Sequence, residues 1–129
     1  MIIGIDHIEI IVRDVKEFVE YYEKLGFKLL SWTEHHEGSA EMLIPGPAEI
    51  ILEIHTLVGE ENPGVNHISF RCDDVEATHA DLTAKGIKFQ RGVHASPSTG
   101  RKNCLLRDPD GWRLQLSDKK RVDHMRKAV

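Results

Sequence analysis

The chain has 129 residues, enough for one domain with a sizeable core and too few for two of ordinary size. Its 17 basic and 21 acidic residues leave a net charge of −4, and no basic block lies in the body of the chain, which argues against nucleic acid as a partner. No run is apolar for long enough to span a bilayer and no signal-peptide pattern opens the chain, so neither a membrane span nor a leader is expected, and the cytoplasm is the default location.

Residues 4–12 are rich in Ile and Val and predict a first strand buried on at least one face. Asp14 is placed to cap a helix in which Val15, Phe18, Val19, Tyr22 and Leu25 recur at helical spacing, and Gly26 supplies the stop. Phe27–Trp32, Ala40–Ile44 and Ile50–His55 follow as three short strands, separated by polar residues around His35 and His36 and by Pro45-Gly46-Pro47. The same order then returns. A strand is expected at 65–72, a helix from about Val75 to Lys85 stopped by Gly86, and strands near 87–91, 102–107 and 112–117. Asp108-Pro109-Asp110-Gly111 reads as a tight turn, because proline sets its first corner and glycine accepts a positive φ. Residues 121–129 form a basic tail, expected to be solvated. Cys72 and Cys104 lack CxxC spacing and read as small buried hydrophobes.

The two halves are copies. Gly4-Ile5-Asp6-His7-Ile8-Glu9-Ile10 aligns with Gly64-Val65-Asn66-His67-Ile68-Ser69-Phe70, sixty positions on, and the register holds through Asp14-Val15 against Asp74-Val75 and Gly26 against Gly86. The expected fold is therefore α+β: two βαβββ modules in tandem, about 4–57 and 64–118, within one domain of residues 1–120. Each module is small for a core of its own, so the pair is expected to share one, as a curved mixed sheet around a cleft with helices on the outer face.

Alternation along the strands sorts the side chains. His7 shares a face with Glu9, His67 with Ser69 and Arg71, Glu53 with Glu49 and His55, and Gln115 with Arg113 and Ser117, while the apolar residues point the other way, where the helices must lie. A solvated sheet face explains any one of these strands. It does not explain why coordinating groups recur at equivalent places in both copies, with His7 matching His67 and Glu53 matching Gln115 after a two-residue insertion. A functional polar cavity follows, and two equivalent histidines give it a geometry from which a shared metal site can be built.

These residues resemble the vicinal oxygen chelate superfamily, which includes glyoxalase I, methylmalonyl-CoA epimerase, extradiol dioxygenases, and the fosfomycin and bleomycin resistance proteins. The resemblance rests on Asp6-His7-Ile8-Glu9-Ile10, the helix ending Tyr22-Glu23-Lys24-Leu25-Gly26-Phe27, Asn66-His67-Ile68-Ser69-Phe70 and Asp108-Pro109-Asp110-Gly111-Trp112. It implies that His7, Glu53, His67 and Gln115 hold one divalent ion, with Zn, Ni, Co or Mn all acceptable to two nitrogen and two oxygen donors. It implies a glyoxalase-like or epimerase-like lyase or isomerase, in which the cation stabilises an enolate of a small oxygenated substrate, and a homodimer. Gln115 departs from the glutamate most common in the family, and an amide coordinates through oxygen but takes no proton.

The base must then lie elsewhere. Glu9 and Glu49 are the candidates, with Glu41 a weaker one, each weighed against a plain salt-bridged carboxylate. Arg71 and Arg113 are candidates to hold a substrate anion or to neutralise those glutamates, and Trp32 to line the substrate pocket. Otherwise Trp32 and Trp112 read as core or interface residues. His55 is placed toward the rim, and His35, His36, His79 and His94 read as surface histidines. Two other functions stay open: a metal-free drug- or metabolite-binding protein of the bleomycin-resistance type, and an Fe(II) dioxygenase using His7, His67 and one carboxylate.

Overall fold

The computed structural model describes residues 1–33, 38–96 and 100–119. His35, His36 and the basic tail lie outside them. Among the described residues the order is β1 (Ile2–Val12), α1 (Val15–Lys24), β2 (Lys28–Thr33), β3 (Ser39–Leu43), β4 (Ile51–Thr56), β5 (Gly64–Cys72), α2 (Val75–Ala84), β6 (Phe89–Ala95), β7 (Lys102–Arg107) and β8 (Arg113–Asp118). The α+β class and the doubled βαβββ order agree with the repeat. The chain divides into two compact units, one built on His7–Asn66 and the other on Met1–Asp6 together with the described residues from His67 on. The first strand is thus divided between them, a boundary that the repeat does not mark. Among the described residues no helix is long and apolar enough to cross a membrane.

In the first unit the strands run β2, β3, β4, β1, with β1 parallel to β4 and the other neighbours antiparallel. Asp14 caps α1 as its spacing predicts, its carboxylate accepting from the Glu17 amide at 3.1 Å. The helix ends at Gly26, whose φ of +95° costs an L side chain, and the Phe27 amide reaches back to the Tyr22 carbonyl at 3.0 Å. The apolar stripe of α1 lands on one sheet face. Val15 and Val19 pack with Ile10, Val12, Ala40, Met42, Leu52 and Ile54, and Phe18 and Tyr22 close the edge of this cluster. The opposite face is therefore the one that carries His7, Glu9 and Glu53.

The second unit repeats the plan as β5, β8, β7, β6, with β5 parallel to β8. Asp74 caps α2 by accepting from the Ala77 amide at 2.9 Å, and the helix stops at Gly86, φ +92°, with the Ile87 amide on the Leu82 carbonyl. Val75 and Leu82 pack with Phe70, Cys72, Cys104, Leu106, Leu114 and Leu116. Cys72 and Cys104 are free and buried, as expected. Trp112, by contrast, is 64 % exposed and Trp32 46 % exposed, so neither belongs to a core of its own unit. The Asp108 turn closes as expected, the Gly111 amide bonding the Asp108 carbonyl at 2.9 Å and the Asp108 carboxylate accepting from the amides of Asp110 and Trp112.

The strand that departs most from the sequence pattern is β6. β6 begins at Phe89 rather than 87 and is interrupted twice, with register shifts between Phe89 and Arg91 and between Arg91 and His94. Such bulges turn side chains from one face to the other.

Candidate functional site

In the first unit His7 is 2 % exposed and its Nε2 lies 3.4 Å from Glu53 Oε2. The strand register creates the contact: Glu9 is the direct partner of Glu53 across the parallel pair, and His7 is two residues earlier on the same face. The register extends further. Glu53 faces Glu41 on β3, and Glu41 faces Ser31 on β2, so Glu9, Glu53 and Glu41 form one row of three carboxylates across adjacent strands. Only the pairing of strands reveals this row, since the three residues are far apart in sequence.

Glu9 pairs with His55, whose Nε2 lies 3.0 Å from Glu9 Oε1 with both side chains largely buried. The other ring nitrogen, Nδ1, lies 2.9 Å from the Thr56 carbonyl, which can only accept. Both nitrogens thus face acceptors, which is the pattern of an imidazolium. The bond to Glu9 pushes the His55 imidazole from its ordinary value up to about 9, overcoming the opposing effect of burial. His55 is not a rim or surface histidine. It holds Glu9. Glu49 lies ahead of β4 with φ +54°, a left-handed conformation, so the alternation that places Glu53 does not reach it.

The second unit repeats this relation with different chemistry. His67 is 8 % exposed, Ser69 is the register partner of Gln115, and His67 again precedes that partner by two residues. Gln115 and Ser117 stand where Glu53 and His55 stand in the first unit. Ser117 Oγ donates to Gln115 Oε1 at 3.1 Å, and since its single proton is used there, Ser69 donates to Ser117 across 2.7 Å. Ser69 is 0 % exposed and Ser117 2 %. This buried chain fixes which end of the Gln115 amide carries the acceptor.

Arg71 is turned to a carboxylate that alternation does not predict as its partner. Its Nε donates to the fully buried Asp6 at 3.3 Å, and an Arg101 terminal nitrogen lies 2.7 Å from the same oxygen. Arg101 also donates twice to the Asp118 carbonyl. A loop arginine seated on a strand residue from the other end of the chain leaves no local pattern, so sequence reasoning missed it. Arg113 and Trp32 are exposed on their strands. His94 bonds the Gly92 carbonyl and His79 stacks at 4.2 Å on Phe89, so neither is simply solvated.

The sequence profile of the Glyoxalase/Bleomycin resistance protein/Dioxygenase superfamily matches residues 4–116. The chain belongs to this superfamily. Among solved structures, methylmalonyl-CoA epimerase in complex with methylmalonyl-CoA and an ammonium ion superposes with a TM-score of 0.76 at 25% identity, covering 95% of this chain and 98% of that one. Glyoxylase I 4 of Arabidopsis thaliana is 26% identical over 124 residues, 88% of this chain and 69% of the relative. Protein YraH of Bacillus subtilis is 30% identical over 115 residues, 80% of this chain and 88% of the relative. The superfamily match spans both copies of the doubled module.

Proposed function

We propose that this superfamily member is a metal-dependent isomerase or lyase that moves a proton on the carbon beside a carbonyl, and that its substrate is a small acyl thioester, by likeness to the methylmalonyl-CoA epimerase that it resembles over 95% of its length. The observation that carries the reading is the matched register: a buried histidine lies two residues ahead of the strand partner of Glu53 in one unit and of Gln115 in the other. His7, Glu53, His67 and Gln115 would hold one divalent ion, Zn, Ni, Co or Mn. The residues present fit such an ion, since donors on one tetrahedral cation lie roughly 3.3 Å apart and His7 Nε2 stands 3.4 Å from Glu53 Oε2. When bound, the cation supplies a Lewis acid for two adjacent substrate oxygens.

The chain's own residues divide the remaining work. Gln115 accepts a hydrogen bond from Ser117 and takes no proton, so the acceptor of the substrate proton belongs to the first unit. Glu9 and Glu41 both face Glu53 directly, but Glu9 is held by His55, and Glu49 lies outside the strand register. Glu41 therefore takes the proton, a reassignment from Glu9 and Glu49, and the Glu9–His55 pair keeps the row in place. Arg71, turned to Asp6, shapes the site through that carboxylate rather than by gripping the substrate. A cytoplasmic homodimer remains the expected form.

The test is metal analysis of untagged protein together with solvent deuterium exchange followed by NMR on acyl-CoA thioesters, 2-oxo acids and glutathione hemithioacetals. About one metal per chain and exchange at the carbon next to a carbonyl are expected. Tight binding of a drug-like ligand with no metal and no exchange would replace this reading with sequestration.

A further inference from the structure

Strict alternation along β2 would put Ser31 with Leu29, which packs under α1. The sheet does otherwise. Leu29 pairs with Met42 and Ser31 with Glu41, so Leu30 is an extra residue in the strand, and it clusters with Leu43 and Ile51 on the face away from α1. The bulge turns Ser31 to that same face, at the end of the row of Glu9, Glu53 and Glu41. Trp32, the residue expected to line a pocket, pairs instead with Ala40 of the cluster under α1. From this strand it is Ser31 that stands beside the site.

The second copy has the same bulge, sixty positions on. Phe89 pairs with Leu106 and Arg91 with Leu105, leaving Gln90 extra, and Leu105 pairs in turn with Gln115. The bulge therefore belongs to the module, and each copy uses it to deliver one side chain to the row that holds Glu53 or Gln115. The two side chains differ. Arg91 is exposed, whereas Ser31 Oγ is buried and, among the described residues, has no hydrogen-bond partner. A buried hydroxyl left in that state costs stability, and alanine would avoid the cost in the same space. Local departures of this kind from what the fold alone would select mark functional sites.

We propose that Ser31 is a substrate-binding residue whose hydroxyl bonds a neutral oxygen on the acyl chain, so that the substrate is a hydroxyacyl thioester rather than a plain or a carboxylated one. Neighbouring strands lie about 5 Å apart, which puts the backbone of Ser31 one strand beyond Glu41 and roughly 10 Å from Glu53. A chain whose reacting carbon lies beside Glu41, as the function proposed above requires and as this proposal assumes, brings its next carbons to Ser31. A neutral oxygen is favoured there because the row already carries three carboxylates, and a fourth negative charge next to Glu41 would be repelled. Discrimination follows from the same bond. A site that buries a hydroxyl to meet a substrate oxygen rejects the analogue lacking that oxygen, since the hydroxyl is then left unpaired.

Isothermal titration of the full chain with 3-hydroxybutyryl-CoA, butyryl-CoA and methylmalonyl-CoA reads the contact without turnover. The hydroxylated thioester is expected to bind at least about fivefold more tightly than butyryl-CoA, the worth of one hydrogen bond. Ser31→Ala should abolish that preference, and Ser31→Thr, which keeps a hydroxyl, should retain part of it. Without ligand, Ser31→Ala is expected to melt at the wild-type temperature or above, since it removes a buried, unsatisfied hydroxyl. The preference without deuterium exchange on any thioester would defeat the proton-transfer reading and uphold this one. A preference that survives Ser31→Ala, equal binding of the first two thioesters, or no binding by the wild type up to about 1 mM overturns the proposal. So does a tighter hold on methylmalonyl-CoA that Ser31→Ala weakens, which would make the oxygen anionic. A fall of more than about 4 °C in the melting temperature of Ser31→Ala would overturn it too, by making the hydroxyl a structural one.

Discussion

Glu9 and His55 form a 3.0 Å ion pair at the two positions that Ser69 and Ser117 occupy, 2.7 Å apart, in the other unit. One register relation thus carries a charged pair in one copy and a neutral pair in the other. In each copy the pair sits beside the residue that closes the module, Glu53 or Gln115.

The charged pair makes stability depend on pH. His55 rises from its ordinary 6.5 to about 9 in the folded chain, so its contribution is fully present below about 6.5 and is lost as pH rises through about 9. His55→Gln is expected to cost about 1–3 kcal/mol at pH 6, as loss of a partly buried charged hydrogen bond does. Urea unfolding of both proteins, repeated at pH 6, 8 and 10, should show the gap closing at the alkaline end. A gap that stays constant would mean that the imidazole is neutral.

The neutral pair is a matter of buried hydrogen bonds. Ser117→Ala removes the donor to Gln115 Oε1 and the acceptor of the Ser69 hydroxyl, leaving the first half-buried and the second fully buried. A loss of about 1–3 kcal/mol is expected by chemical denaturation, with less metal retained because the amide is free to turn. Ser117→Thr, which keeps the hydroxyl, should recover part of the metal content. Equal metal retention in the alanine variant would remove Ser117 from any positioning role.

Much of this could be read from the residues. The doubled module, both Asp caps, both glycine stops, the free cysteines and the helix-facing apolar set all follow from local pattern, because periods of two and of 3.6 and the chemistry of caps act within a few residues. The row of Glu9, Glu53 and Glu41 could not, since it depends on which strands become neighbours and in what register. His55 was misplaced for the same reason: its partner is on another strand. Arg71 and Arg101 meet Asp6 through the chain's tertiary course, and the two bulges in β6 reverse Arg91 without any proline or repeated motif to announce them.

The thiols give a check on the second unit's core. Burial pushes Cys104 up to about 12 and raises Cys72 as well, and the thiolate is the reactive form. Neither should react with an aromatic disulfide reagent at pH 8 in the native state, and both should react within minutes in strong denaturant. Fast titration of one thiol in folded protein would show that the sheet opens over Leu116 and Leu106.

The sharpest prediction compares Gln115 with Glu41. If the proton acceptor lies in the first unit, Gln115→Glu keeps the donor set and should retain metal, while its added negative charge weakens the cation's hold on substrate oxygens and lowers the rate without abolishing it. Glu41→Gln removes the acceptor and should cut deuterium exchange by about 10²–10⁴-fold with metal content unchanged, the usual worth of a positioned base. Glu9→Gln should fall between, since it removes the charge that His55 answers but leaves the carboxylate facing Glu53. Metal analysis beside each exchange rate keeps loss of the ion distinct from loss of the base. If Glu41→Gln exchanged at the wild-type rate while Glu9→Gln did not, the acceptor would be Glu9, and His55 would be its immediate hydrogen-bond partner during turnover.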